Sequence, residues 1–142
     1  MKYLLAVLLI ILSSQAIADI NGYKLITKQK DLRGENTSFI YQNKVNSDNI
    51  VLLTFGESPV RVDPTTEANK IIKYNKFDCK KYYKKTKGNR LEVYGTKCKV
   101  DGHTISNANA YIGNDFIIVV MSTHKISEEK SDEFIPQAIE DM

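Results

Sequence analysis

Two histidines, two cysteines and one dense run of lysines are the side chains whose types and spacing could carry chemistry in this chain. His103 stands beside Asp101-Gly102, and His124 follows the apolar run Phe116–Met121. A Ser–His–Asp or Cys–His site is defined by geometry, and no G-x-S-x-G, H-E-x-x-H or phosphate-loop pattern points to one. The expectation is a turn neighbour for His103, a strand-end residue for His124, and no catalytic residue. A zinc site takes three or four ligands. With the cysteines paired, only the histidines and scattered acids remain, so neither a metal nor a cofactor is expected. Glu128-Glu129 and Asp132-Glu133 are adjacent carboxylates. They open a candidate helix, where the macrodipole accounts for acids without acid–base work.

The cysteines take their meaning from the start of the chain. Lys2, the unbroken apolar run Leu4–Leu12 and the small-residue site Ala16-Ile17-Ala18 have the layout of a secretory signal peptide over residues 1–18. The n-region is very short, as in bacterial leaders. The apolar run falls below the roughly 20 residues that span a bilayer. Residues 19–142 are then expected to be one exported domain without a transmembrane segment, in a bacterial periplasm or outside the cell. Two cysteines in an oxidising compartment allow one intramolecular disulfide, Cys79–Cys98.

The lysines lie in and around NKFDCKKYYKKTKGNRLEVYGTKCKV, residues 75–100. Residues 70–99 hold eleven Lys or Arg and two acids, a surplus of +9, whereas residues 100–142 hold two lysines and eight acids, a sum of −6. Such asymmetry bears on partners more than on fold. Projected on a helix at about 100° per residue, residues 68–87 place Ala68, Ile71, Ile72, Asn75, Cys79, Tyr82 and Tyr83 on one stripe. Lys70, Lys73, Lys76, Lys80, Lys81, Lys84, Lys85 and Lys87 all fall on the opposite side. A solvated helix face would look the same. Phe77 lies among the lysines, which leaves two alternatives open. Either the helix is continuous and Phe77 is an exposed aromatic ringed by cations, or the helix breaks near Asn75, Asp78 caps a new segment and Phe77 turns inward.

The elements that position these residues can be read coarsely. Tyr23–Thr27, Thr37–Val45 and Ile50–Phe55 read as strands, the last of them buried. Asp63-Pro64 announces a helix that Gly88 ends. Leu91–Tyr94, Lys97–Val100 and His103–Ile112 follow as strands, with Asp101-Gly102 as a hairpin turn. Gly113-Asn114-Asp115 leads into Phe116–Met121, apolar on both faces and so expected at the centre of a sheet. Phe134, Ile135, Ala138, Ile139 and Met142 make the stripe of a final helix, and a start near Ser131 or Asp132 keeps Pro136 in the first turn. The predicted class is α+β, an antiparallel sheet of about five to seven strands packed by a central Lys-rich helix and a C-terminal helix. This element order resembles that of several exported α+β families, the PsbP-like architecture among them. No motif accompanies the resemblance, and no functional residue is carried over from it.

The expected function is a non-enzymatic exported binding module. Lys73, Lys76, Phe77, Lys80, Lys81, Lys84, Lys85 and Lys87 form its anion-docking face. The partner would be an anionic phospholipid headgroup, a polyanionic glycan or an acidic protein surface, and no specific nucleic-acid motif is present. About four lysines engaging at about 1 kcal/mol each correspond to a roughly millimolar affinity. The acidic C-terminal segment is able to fold against the lysines and cancel part of that field. The alternative is a protein–protein module such as a periplasmic inhibitor, immunity or accessory factor, with a hydrolase of unrecognised class third. A secreted virulence factor is compatible with either of the first two.

Overall fold

A computed structural model describes residue 20 and residues 22–57 and 61–142. The segment read as a signal peptide, residues 1–18, lies outside the described residues. The chain forms β1 (Tyr23–Lys30), β2 (Asn36–Asn43), β3 (Ile50–Glu57), α1 (Pro64–Lys73), β4 (Cys79–Lys87), β5 (Arg90–Val100), β6 (His103–Ile112), β7 (Phe116–Ser122) and α2 (Glu128–Asp141). The strands make one sheet in the order β1-β2-β3-β7-β6-β5-β4, with every neighbouring pair antiparallel. This is the α+β architecture that the element order predicts. β7, whose sequence is apolar on both faces, takes the central place.

The two helices cover opposite faces. Phe134, Ile135 and Ala138 of α2 join Phe39, Tyr41, Val51, Leu53, Ile118 and Val120 in the larger core cluster. Ala68 and Ile71 of α1 pack on the other face against Val93, Ala110 and Ile112. Period-two alternation sorts β6 between them: Tyr111 belongs to the α2 side, Ala110 and Ile112 to the α1 side. No helix among the described residues is long and apolar enough to cross a membrane.

Both helices differ from the periodicity reading. α1 starts as expected, with Pro64 at its first turn and the Asp63 side chain accepting from the Thr66 N–H at 3.1 Å. It ends at Lys73, fourteen residues short of Lys87. Asn75 adopts φ 49°, its N–H bonds the Ile72 carbonyl, and the Lys76 N–H reaches back to the Ile71 carbonyl. Those two bonds are a Schellman stop, with asparagine taking the left-handed place that glycine usually fills. Asp78, also left-handed at φ 50°, turns the chain into β4 and caps no second helix. Lys80, Lys81, Lys84, Lys85 and Lys87 therefore lie on an edge strand and not on a helix face. Gly88, at φ 63°, serves the tight β4–β5 hairpin between paired Lys87 and Arg90. Phe77 is half-buried against both the α1 cluster and the disulfide cluster, the inward alternative. α2 begins at Glu128, capped by Ser127 accepting from the Lys130 N–H at 3.1 Å, so Pro136 sits inside the helix. Its ring removes one helical N–H donor there.

Cys79 and Cys98 are disulfide-bonded directly across β4 and β5. Gly95 makes room for the bridge: a Cβ there would meet Cys79 Sγ at 2.6 Å and the Ala108 carbonyl oxygen at 2.9 Å. Because the bridge ties the edge strand to its only neighbour, double Cys→Ala replacement is expected to lower unfolding free energy by about 2–4 kcal/mol. Urea melts of the wild-type and double-variant proteins measure it. An unchanged midpoint would mean that β4 is held by its ladder alone.

Candidate functional site

The lysines of β4 divide between the two faces of the sheet. Tyr83, Lys85 and Lys87 meet the first turns of α2: Lys85 Nζ lies 3.2 Å from Glu128, Lys87 Nζ lies 2.8 Å from Asp132, and the Tyr83 hydroxyl donates to Glu128. Lys81 shares their side by alternation. Burial, then the hydrogen bond to Glu128, pushes the Tyr83 hydroxyl up to about 12. The same bond, helped by Lys85, holds the Glu128 carboxyl below its ordinary value, and Asp132 holds the Lys87 ammonium above its own. The acidic C-terminal segment thus neutralises Lys85 and Lys87, as the charge distribution along the chain allows.

Lys84 faces the other way and donates to Asn69 of α1 at 2.8 Å. Tyr82 shares its side and packs into the α1 core, and Lys80, next to the disulfide, is exposed. Between α1 and β4 runs a shallow groove of about 540 Å³, lined by Asn69, Lys70, Ile72, Lys73, Tyr74 and Lys84 among others. Tyr74 is 64% exposed, and Lys73 lies 5.5 Å from its ring centroid. Lys76 sits in the α1–β4 turn. So Lys73 and Lys84 of the predicted face come together, Lys85 and Lys87 are drawn to the opposite side, and Phe77 is withdrawn toward the core.

A structural role explains part of this pattern. β4 and β1 are the two sheet edges, with five lysines in nine residues and three in eight respectively. β1 also carries a register shift between Leu25 and Thr27. Charged edges and bulges block edge-to-edge pairing with other chains. Lys70 and Lys73 lie on a helix and have no part in that protection.

Beneath the first turns of α2 lies a polar network that motif reasoning does not register. Glu92 is completely buried, takes the Arg90 Nε–H at 3.1 Å, and accepts from the Tyr94 hydroxyl. Tyr94 stacks on Tyr83, while Tyr111 and Asn109 bond the buried Ser131 hydroxyl at 2.7 and 3.0 Å. Burial is the main force raising the Tyr94 and Tyr111 hydroxyl pKa values. Asn109 Oδ1 is buried without a hydrogen-bond partner among the described residues. Two signals in the sequence point to this network: a lone acid at 92 in a strand rich in apolar residues, and Tyr94 two residues on, which the strand period puts beside it.

His103 is exposed beside its turn. His124 is half-buried: Tyr23 meets Nε2, and the Ser122 hydroxyl lies 3.2 Å from Nδ1. Ser122 is 1% exposed, which keeps its oxygen from a substrate. Burial lowers the His124 pKa from its ordinary 6.5. A histidine with a depressed folded pKa destabilises the fold when it protonates, so stability is full above pH 6.5 and falls below it. Wild-type melting temperature should decline between about pH 7 and 5, and His124→Gln should flatten that slope. Parallel slopes would assign the decline to other groups.

Compared with known proteins, the chain matches no family model, no curated protein sequence and no solved structure.

Proposed function

We propose that the protein is a non-enzymatic exported binding module that docks an anionic partner through its α1–β4 surface. The observation that carries this is the groove in which Lys73, Lys84 and the largely exposed Tyr74 converge, beside Lys70, whose ammonium lies 3.4 Å from Glu67. Edge protection accounts for lysines on β4 but not for those on α1. An exposed tyrosine among cations suits a headgroup, a sugar ring or the rim of a protein interface. Export is supported by the leader-like residues 1–18 together with a disulfide-bonded domain.

Binding to phosphatidylglycerol vesicles, a polysulfated glycan and an acidic protein, each at low and high salt, tests the proposal. Lys73 and Lys84 changed together to Gln should weaken the productive interaction about 30-fold at low salt, at about 1 kcal/mol for each lysine. Lys85→Gln should leave it unaltered, because that ammonium is already engaged by Glu128. Equal binding by the Lys73→Gln, Lys84→Gln variant at every salt concentration would reduce the lysines to a solvated and edge-protecting role.

A second reading has its own observation. Ile40, Leu52, Val119 and Met121 are half-buried on the α1 side of the sheet, away from the α1 core cluster. An apolar sheet face of this kind suits a protein–protein module, the inhibitor, immunity or accessory class. Its binding would survive high salt and be lost in Leu52→Lys.

A further inference from the structure

At the end of the sheet, the β4–β5 hairpin and the β6–β7 turn enclose a cleft of about 780 Å³, separate from the α1–β4 groove. Arg61, Lys87 and Arg90 line it with Asn89 and Asn114, and Asp115 is the one acid among its lining residues. The Val62 N–H bonds the Asn114 carbonyl at 2.7 Å, which ties the segment carrying Arg61 to the opposite wall.

Arg90 is the distinctive member. Its Nε–H is taken by the buried Glu92, and its guanidinium carbon lies 5.5 Å from the Tyr111 ring centroid. Its side chain keeps 29% of its exposure, and the two Nη groups have no protein partner among the described residues. The side chain is thus pinned at one nitrogen and along one ring, while the fork that best fits an oxyanion stays open. A guanidinium held in place before binding loses little rotamer freedom when it grips a carboxylate or phosphate with two parallel hydrogen bonds. A buried carboxylate is an expensive way to stabilise a hairpin, since an apolar pair of similar volume often does so at least as well. It is an effective way to aim an arginine.

We propose that this cleft binds a small oxyanion-bearing molecule, a phosphate ester or a carboxylate. Arg90 acts as its fixed anchor, Arg61 as a second cation, and Asn89 and Asn114 as neutral donors. Lys87 contributes less, because Asp132 already holds its ammonium at 2.8 Å. Glu92 is a positioning residue that touches Arg90 and not the ligand. The volume exceeds what a bare ion needs and suits an anion carried on a small organic body. This inference does not depend on the α1–β4 surface, which presents different lysines on a different part of the molecule.

The test is an NMR titration of the whole domain with inorganic phosphate, with glycerol 3-phosphate and with succinate, at ionic strength held constant with sodium chloride. Expected are saturable shifts of the Arg90 Nε–H and of Asn89 and Asn114, with dissociation constants in the millimolar range or below. Arg61→Ser should weaken binding at least threefold, and Asp115→Asn should tighten it by twofold or more. The double change Arg90→Gln with Glu92→Gln, which removes both members of the buried pair, should abolish saturation. Lys70→Gln and Lys84→Gln should have no effect, which separates this site from the α1–β4 surface. Phosphatidylglycerol vesicles form the last arm: broadening of the same signals identifies a lipid headgroup as the source of the anion, and its absence a free ester. Linear, unsaturated shifts in the wild type would overturn the proposal, as would saturation that survives in a folded double variant. If the double variant does not fold, unchanged affinity in both Arg61→Ser and Asp115→Asn overturns it.

Discussion

Val120→Asp is expected to abolish cooperative folding, whereas Val119→Asp should give a folded protein of reduced stability. Val120 is fully buried on the central strand, between Leu53 of β3 and Asn109 of β6, in the cluster that α2 closes with Phe134. A carboxylate there has no cation within the apolar cluster and loses its hydration, at a cost of several kcal/mol. That is comparable with the whole stability of a domain of this size, about 5–15 kcal/mol. Val119 projects to the other side, where it is only half-buried and a carboxylate can remain wet. Far-UV circular dichroism and urea melts distinguish the two. A Val120→Asp protein with a wild-type midpoint would mean that β7 is not the centre of the sheet.

Arg90→Ala should be the most damaging single change outside the apolar core. It leaves the Glu92 carboxylate buried, with the Tyr94 hydroxyl as its one remaining hydrogen-bond partner among the described residues. Breaking a buried pair from one side costs about 3–5 kcal/mol, most of it the penalty of the stranded charge. Glu92→Gln in the Arg90→Ala background should recover a large part of that loss. A double-mutant cycle in urea reads the coupling. If Glu92→Gln recovers nothing, the arginine stabilises the hairpin by packing on Tyr111 and not by compensating Glu92.

The two changes probe different levels of legibility. The run Phe116–Met121 hides which of its faces is fuller, and only Ile118 and Val120 of it are buried. The strand itself is visible in the sequence because six consecutive apolar residues suit a strand with two buried faces. The same holds for Asp63-Pro64 as a helix start, for Asp101-Gly102 as a hairpin turn, and for the single possible cysteine pair. These are local preferences, each set by a few adjacent backbone conformations or by a count of thiols. Gly88 was equally legible as a breaker, yet it closes a hairpin, because a glycine with positive φ serves either end equally well.

The helical period between 75 and 87 belongs instead to a turn and the edge strand β4. Alternating pairs of lysines and tyrosines match one face of a helix, and they match an edge strand equally well, since an edge has no crowded neighbour on one side. The chain settled the ambiguity through partners remote in sequence. The open edge of β5 needed a ladder, Cys98 bonded Cys79, Gly95 left space for the bridge, and Asn75 accepted a left-handed turn. The fate of the lysines followed from the same long-range choice. Glu128 and Asp132, more than forty residues away, took Lys85 and Lys87, while α1 gathered Lys70 and Lys73 beside Lys84. Sequence alone determined the class, the central strand, the disulfide and the charge imbalance, because composition and short-range backbone chemistry carry them. Only the tertiary structure decided which cations pair with remote carboxylates and which gather beside α1. Ion pairing depends on distance through space, and the helix–strand choice that sets those distances was closed by contacts no local pattern contains.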